Sequence, residues 1–118
     1  MGHPVRQFQI VTPHPDAVAA FYGALFGWTI TRNDALGYRV VDTASEEGIS
    51  GGIWPAPPEA PTFAQLFIEV ENVAAAVARA TELGATVLIE PQQLPDGDEM
   101  ALLHDPQGMS FGIYRSAG

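Results

Sequence analysis

The sequence predicts an α+β fold made of two consecutive βαβββ modules. Three observations predict it: the same order of hydrophobic periodicities occurs twice, a proline-rich break separates the two runs, and short stretches of the halves match. Val5 to Thr12 alternates with a period of two, as a half-buried strand does. Pro13 to Asp16 interrupts it, with Asp16 as the expected N-cap of a helix in which Val18, Phe21, Tyr22, Leu25 and Phe26 recur at helical spacing. Gly27 is the expected C-cap. Strands follow over Trp28 to Thr31, Gly37 to Thr43 and Gly48 to Trp54, separated by polar turns at Asn33 and Asp34 and at Ser45 to Glu47.

Residues 55–61 hold prolines at 55, 57, 58 and 61, too many for a helix or an inner strand and suited to a spacer. The pattern then repeats: a strand from Phe63 to Glu71, Asn72 as N-cap, a helix from Val73 to Leu83, and Gly84 as C-cap. Strands over Ala85 to Glu90, Asp98 to His104 and Met109 to Tyr114 complete it, with turns at Pro95 to Gly97 and Asp105 to Gly108. Gln7 to Ile10 aligns with Gln65 to Ile68, and Leu25 to Ile30 with Glu82 to Val87, the register slipping by one residue between them. The expectation is one domain over residues 1–118, with module 1 at about 4–54, a linker at 55–61 and module 2 at 62–116.

Composition narrows the function. The five cations are scattered arginines, Arg6, Arg32, Arg39, Arg79 and Arg115, against fourteen carboxylates. Such a chain repels nucleic acid and anionic membranes, and it is a poor partner for nucleotides or coenzyme A esters. With no cysteine, disulfides, thiolate nucleophiles and cysteine metal sites are excluded. The N-terminus lacks the pattern of a signal peptide and no apolar run approaches membrane length, so a soluble cytoplasmic protein is expected. There is no glycine-rich phosphate loop and no nucleophile motif. Phe21, Tyr22, Phe26 and Trp28 read as the core between helix and sheet of the first module.

Ala20 to Trp28, Ile49 to Pro55, Leu83 to Ala85 and Asp105 to Phe111 together resemble, in order and along essentially the whole chain, the vicinal-oxygen-chelate superfamily of glyoxalases, bleomycin-resistance proteins and extradiol dioxygenases. The resemblance implies a curled mixed sheet around a cleft, and in the metal-dependent members a divalent ion held by the first and last strands of each module. Carried onto this sequence, those ligand positions fall on Gln7, Gly52, Gln65 and Gly112. Two amides and two glycines supply no negative charge to offset a dication, so no metal and no other cofactor is expected.

Gln7 and Gln65 read as ligand-bonding amides on the cleft face, although polar residues on a solvated strand face would look the same. Gln9 and Phe67, two residues on, then point the same way. Trp54, Ser110 and Tyr114 flank the glycines and should share their face, adding aromatic wall and hydroxyl. The glycines at 51, 52 and 112 relieve crowding or mark bulges in a curved sheet, and, compatibly with that, open space where a metal ligand would stand. His104 is the candidate general base and Glu69 the candidate carboxylate, while His14 lies in a proline-flanked turn and Asp105 closes its own turn.

The reading that follows is a small-molecule-binding protein that encloses a largely apolar or aromatic ligand without a catalytic metal, in a homodimer as members of the superfamily often are. The alternative is a metal-dependent lyase, isomerase or dioxygenase, with a carboxylate such as Glu69 or Glu47 supplying charge. A regulatory or scaffolding protein with a vestigial cleft is the third.

Overall fold

Both halves of the chain fold as β-α-β-β-β, the order that periodicity predicts. The computed structural model describes residues 2–33 and 37–117. Its contacts divide the chain into two compact units, Gln7–Ala64 and Met1–Arg6 with Gln65–Gly118. The expected turn residue Asp34 lies outside the described residues.

In the first module β1 (Val5–Thr12) leads to α1 (Pro15–Phe26), β2 (Thr29–Asn33), β3 (Tyr38–Asp42) and β4 (Ser50–Pro55). The strands lie in the order β2-β3-β4-β1. β1 and β4 run parallel, which requires a long crossover, and α1 with β2 and β3 provides it. The other pairs are antiparallel. Asp16 does not cap α1. Pro15 takes the first helical position, where its fixed φ fits and its missing N–H is no loss, so the N-cap falls on His14. The His14 side chain makes no capping bond there, and its N–H donates instead to Thr12 Oγ1 at 3.1 Å. Gly27 ends the helix with a left-handed φ of 72°, as expected.

The aromatic group of this module is not a buried core. α1 buries no residue, and Phe21 and Phe26 are 59% and 57% exposed. Tyr22 nevertheless stacks on Trp28 at 5.4 Å between ring centroids, and Trp28 lies 5.7 Å from Phe8 of β1. Aromatic contact along the helix edge replaces deep burial, while Val41 and Ile53 are fully buried in the sheet.

In the second module β5 (Phe63–Glu69), α2 (Val73–Glu82), β6 (Thr86–Gln93), β7 (Glu99–His104) and β8 (Ser110–Arg115) are ordered β5-β8-β7-β6. Asn72 caps α2, its side chain accepting from the Ala75 N–H at 3.0 Å. Leu83, one residue earlier than expected, is the C-cap, and Gly84 follows it with a φ of 105°. α2 inserts Val73 and Val77 against Ala101, Leu103 and Ile113, which form the principal core of this module. β6 runs past the expected end at Glu90 and includes Pro91. It is the outermost strand of the module and its register shifts between Ile89 and Gln92, so the missing proline N–H breaks no ladder. Asp105 closes its turn as expected, accepting from the N–H groups of Gln107 at 2.8 Å and Met109 at 3.0 Å.

Leu103→Ala, at a fully buried core position, should lower the free energy of unfolding by about 2–5 kcal/mol in equilibrium denaturation. Leu25→Ala, at a position 58% exposed on α1, should change it by less than about 1 kcal/mol.

Candidate functional site

Strand alternation gives each sheet one face toward its helix and one face away from it. In the first module Ile30 and Arg39 line a recess with α1 residues, so Tyr38 and Val40 turn away. Val40 pairs with Gly52, which pairs with Gln9, and Gln7 pairs with Ser50. Gln7, Gln9, Tyr38, Ser50, Gly52 and Trp54 therefore share the face opposite α1. In the second module Leu103 and Ile113 pack on α2, so the residues between them turn away. Phe67 pairs with Gly112 and Glu69 with Tyr114, while His104 pairs with Ser110. Gln65, Phe67, Glu69, His104, Ser110, Gly112 and Tyr114 thus share the face opposite α2. The strands bring the sequence-selected residues of each module onto one face of that module.

Gly52 and Gly112 stand at equivalent register positions, and an aromatic ring lies across each. A Cβ on Gly52 would overlap the Tyr38 phenol, and one on Gly112 would come within 2.6–2.8 Å of the Phe67 ring. Gly51 belongs to the opposite face, against Phe8. At Gly52 and Gly112 the crowding is plain: the room a carboxylate would need is taken by a ring. Each covering ring also meets a second aromatic on its own face. Tyr38 lies 5.6 Å from Trp54 at an interplanar angle of 52°, and Phe67 lies 6.2 Å from Tyr114 at 55°.

The amides differ between the modules. Gln65 is 2% exposed, and its Oε1 accepts from Ser110 Oγ at 2.5 Å. Gln7 is half-buried, and its register partner Ser50 is engaged by Thr43, whose N–H donates to Ser50 Oγ at 3.1 Å. Gln9 bonds to the Tyr38 hydroxyl. Burial pushes the Tyr38 phenol above its ordinary value, and the bond to Gln9 offsets part of that.

Tyr38 and Ser50 were not anticipated. Ser50 was within reach, since Ser50-Gly51-Gly52-Ile53-Trp54 repeats as Ser110-Phe111-Gly112-Ile113-Tyr114, a serine, glycine, isoleucine and aromatic at the same spacing. Tyr38 has no such signal, because it reaches Gly52 from a neighbouring strand.

The charged candidates take other roles. Glu69 is held by Arg6, whose Nε donates to Glu69 Oε1 at 2.8 Å, and this bond raises the Arg6 guanidinium above its ordinary value. Glu47 is exposed in the turn before β4, and His14 is exposed at the start of α1. His104 is half-buried at the end of β7. Among the described residues no group of three or more histidines and carboxylates could hold a metal ion. The four family ligand positions supply two neutral amides, one of whose oxygens already accepts from Ser110, and two glycines under rings. That donor set does not fit a tightly held dication.

Paired βαβββ modules with polar and aromatic sheet faces define the class, and comparison with known proteins gives the family. Residues 7–114 match the glyoxalase-like domain, and the chain belongs to that family. It is 32% identical over 112 residues to CFP32 of Mycobacterium tuberculosis and of Mycobacterium bovis, which carries the provisional name of a glyoxylase. That match covers 92% of this chain but only 42% of CFP32, so the chain spans about two-fifths of its curated relatives. Among solved structures, methylmalonyl-CoA epimerase of Streptomyces coelicolor shares the fold at a TM-score of 0.65 and 19% identity, covering 98% of this chain and 99% of the epimerase. A hypothetical protein of Bacillus halodurans does so at a TM-score of 0.72 and 15% identity, covering 100% of this chain and 97% of its own. No helix among the described residues is long and apolar enough to cross a membrane.

Gly112→Ala should destabilise the protein by about 1–3 kcal/mol in denaturant titration, and Phe67→Leu in the same chain should recover part of that loss. A folded-state phenol above its unfolded value binds its proton more tightly in the native protein. Tyr38 therefore adds no pH dependence to stability below about pH 10, and stability falls as pH rises from there through the folded value. Tyr38→Phe should remove that alkaline slope in pH-dependent unfolding curves.

Proposed function

We propose that this protein is a binding member of the glyoxalase-like family. It takes up a small, largely apolar or aromatic molecule on the sheet faces turned away from its helices, and it uses no catalytic metal. One observation carries the reading: an aromatic ring lies across the glycine at the last-strand position of each module, where the metal-dependent pattern calls for a carboxylate. The exposed Trp54 and the half-buried Tyr38 and Tyr114 offer aromatic surface, backed by the buried Phe67, and the half-buried Gln7, Gln9 and Ser110 offer amide and hydroxyl groups to orient a ligand, with the buried Gln65 holding Ser110 in place.

The charge balance supports a neutral or monoanionic ligand. The Streptomyces coelicolor epimerase was solved with 2-nitronate-propionyl-CoA, yet this chain has five scattered arginines and no lysine with which to meet such a polyanion. No catalytic step is assigned to His104 or Glu69, the latter being paired with Arg6. The working form is a cytoplasmic homodimer, and light scattering of the purified protein checks the dimer.

A thermal-shift screen of small aromatic and acyl compounds, followed by calorimetry, tests the proposal. At least one compound should stabilise the protein, and Trp54→Ala and Tyr114→Ala should each weaken it by about two- to tenfold. A screen without any stabilising compound counts against the proposal. Elemental analysis of protein purified without chelator should find no stoichiometric divalent metal. A stoichiometric metal would instead favour the lyase, isomerase or dioxygenase reading.

A further inference from the structure

The helix-bearing face of the first module holds a recess, unlike the faces described above. α1 is apolar along most of its length yet buries no residue, and between it and β2 and β3 lies an open cavity of about 450 Å³. The helix wall consists of Ala19, Ala20, Gly23 and Ala24, so one stripe of α1 carries almost no side-chain volume. Trp28 and Ile30 supply apolar surface opposite.

Arg39 also lines the cavity, with a side chain only 7% exposed in a chain of net charge −9. A guanidinium withdrawn from water needs an anion and hydrogen-bond acceptors. Its acceptors are the Gly37 carbonyl and the carboxylate of Asp16. Asp16 is an unusual partner, because its side chain is 85% exposed in the first turn of α1. The exposed carboxylate regains its hydration when it turns into water, whereas the buried guanidinium stays in place and then needs another anion. Arg32 also lines the cavity wall.

We infer that this recess is a binding site for a small monocarboxylate with an apolar body. The ligand carboxylate takes the position of Asp16 on Arg39, matching the guanidinium fork with two oxygens. Its body lies along the small-residue stripe against Trp28 and Ile30. Arg39, Trp28 and the stripe belong to the helix-side face of this module, whereas Gln7, Gln9 and Trp54 lie on the other. Occupancy here is therefore independent of the function proposed above.

Phenylacetate is a suitable probe, with neutral phenylacetamide as its control. Trp54→Phe leaves Trp28 as the single tryptophan, because the chain has two. In that background phenylacetate should give a saturable change in Trp28 emission, and phenylacetamide should bind at least about tenfold more weakly. Asp16→Asn should tighten phenylacetate binding at least threefold, on the order expected when a weak competing ion pair is removed. Ala20→Phe, at an exposed helix position, should weaken it at least tenfold by filling the recess. That variant keeps the test decisive should Arg39→Gln fail to fold. No saturable response at tens of millimolar phenylacetate, an equal response to phenylacetamide, or binding unchanged in Ala20→Phe or in Asp16→Asn would each overturn the inference.

Discussion

A ring laid across a glycine is the contact on which the face of each module opposite its helix depends. Tyr38 covers Gly52 and Phe67 covers Gly112, each at a distance that no Cβ would allow. Because protein interiors are packed to the density of organic crystals, the missing side chain and the ring above it form one unit of volume. Once the rings are seated, their second aromatic partners, Trp54 and Tyr114, are set beside them at nearly the same angle in both modules. The aromatic character of these faces follows from two positions that carry no side chain at all.

On this common plan the modules have diverged in polarity. The first places a half-buried phenol against Gln9, which lets a hydroxyl stand above its glycine. The second covers its glycine with a ring that has no polar atom and moves polarity to Gln65 and Ser110. Their helices diverge too. α2 drives two valines into its sheet, whereas α1 presents alanines and a glycine to a recess floored by Arg39. A duplicated backbone thus carries one conventional helix interface and one that is left open.

The fold was legible wherever local chemistry specifies local geometry. Asn72 caps α2 because a short side-chain oxygen can reach an orphan N–H, and Gly27 and Gly84 mark helix ends because a positive φ suits a residue without Cβ. Asp16 was misread for a related reason. Asparagine and aspartate look alike as caps in a sequence, but Pro15 moved the helix start two residues toward the N-terminus, and Asp16 then met Arg39 from a strand beyond the helix. The aromatic residues of α1 were placed in a core on the strength of their spacing. Helical spacing shows which residues share a side, and not whether a neighbour covers them. The candidate site divides in the same way: Gln7, Gln65, Trp54 and Tyr114 followed from repetition and alternation, whereas Tyr38 did not.

By itself, then, the sequence determined the element order, the duplication, the positions of the glycines and the shortage of cations. All of these are properties of single residues or of their spacing along the chain. Only the tertiary structure decided what stands above the glycines, which anion Arg39 holds, and which carboxylate Arg6 ties down. The physical reason is strand pairing. The register between β3 and β4 brings Tyr38 to Gly52, and that between β5 and β8 brings Phe67 to Gly112, across separations in the chain that a local period of two cannot encode.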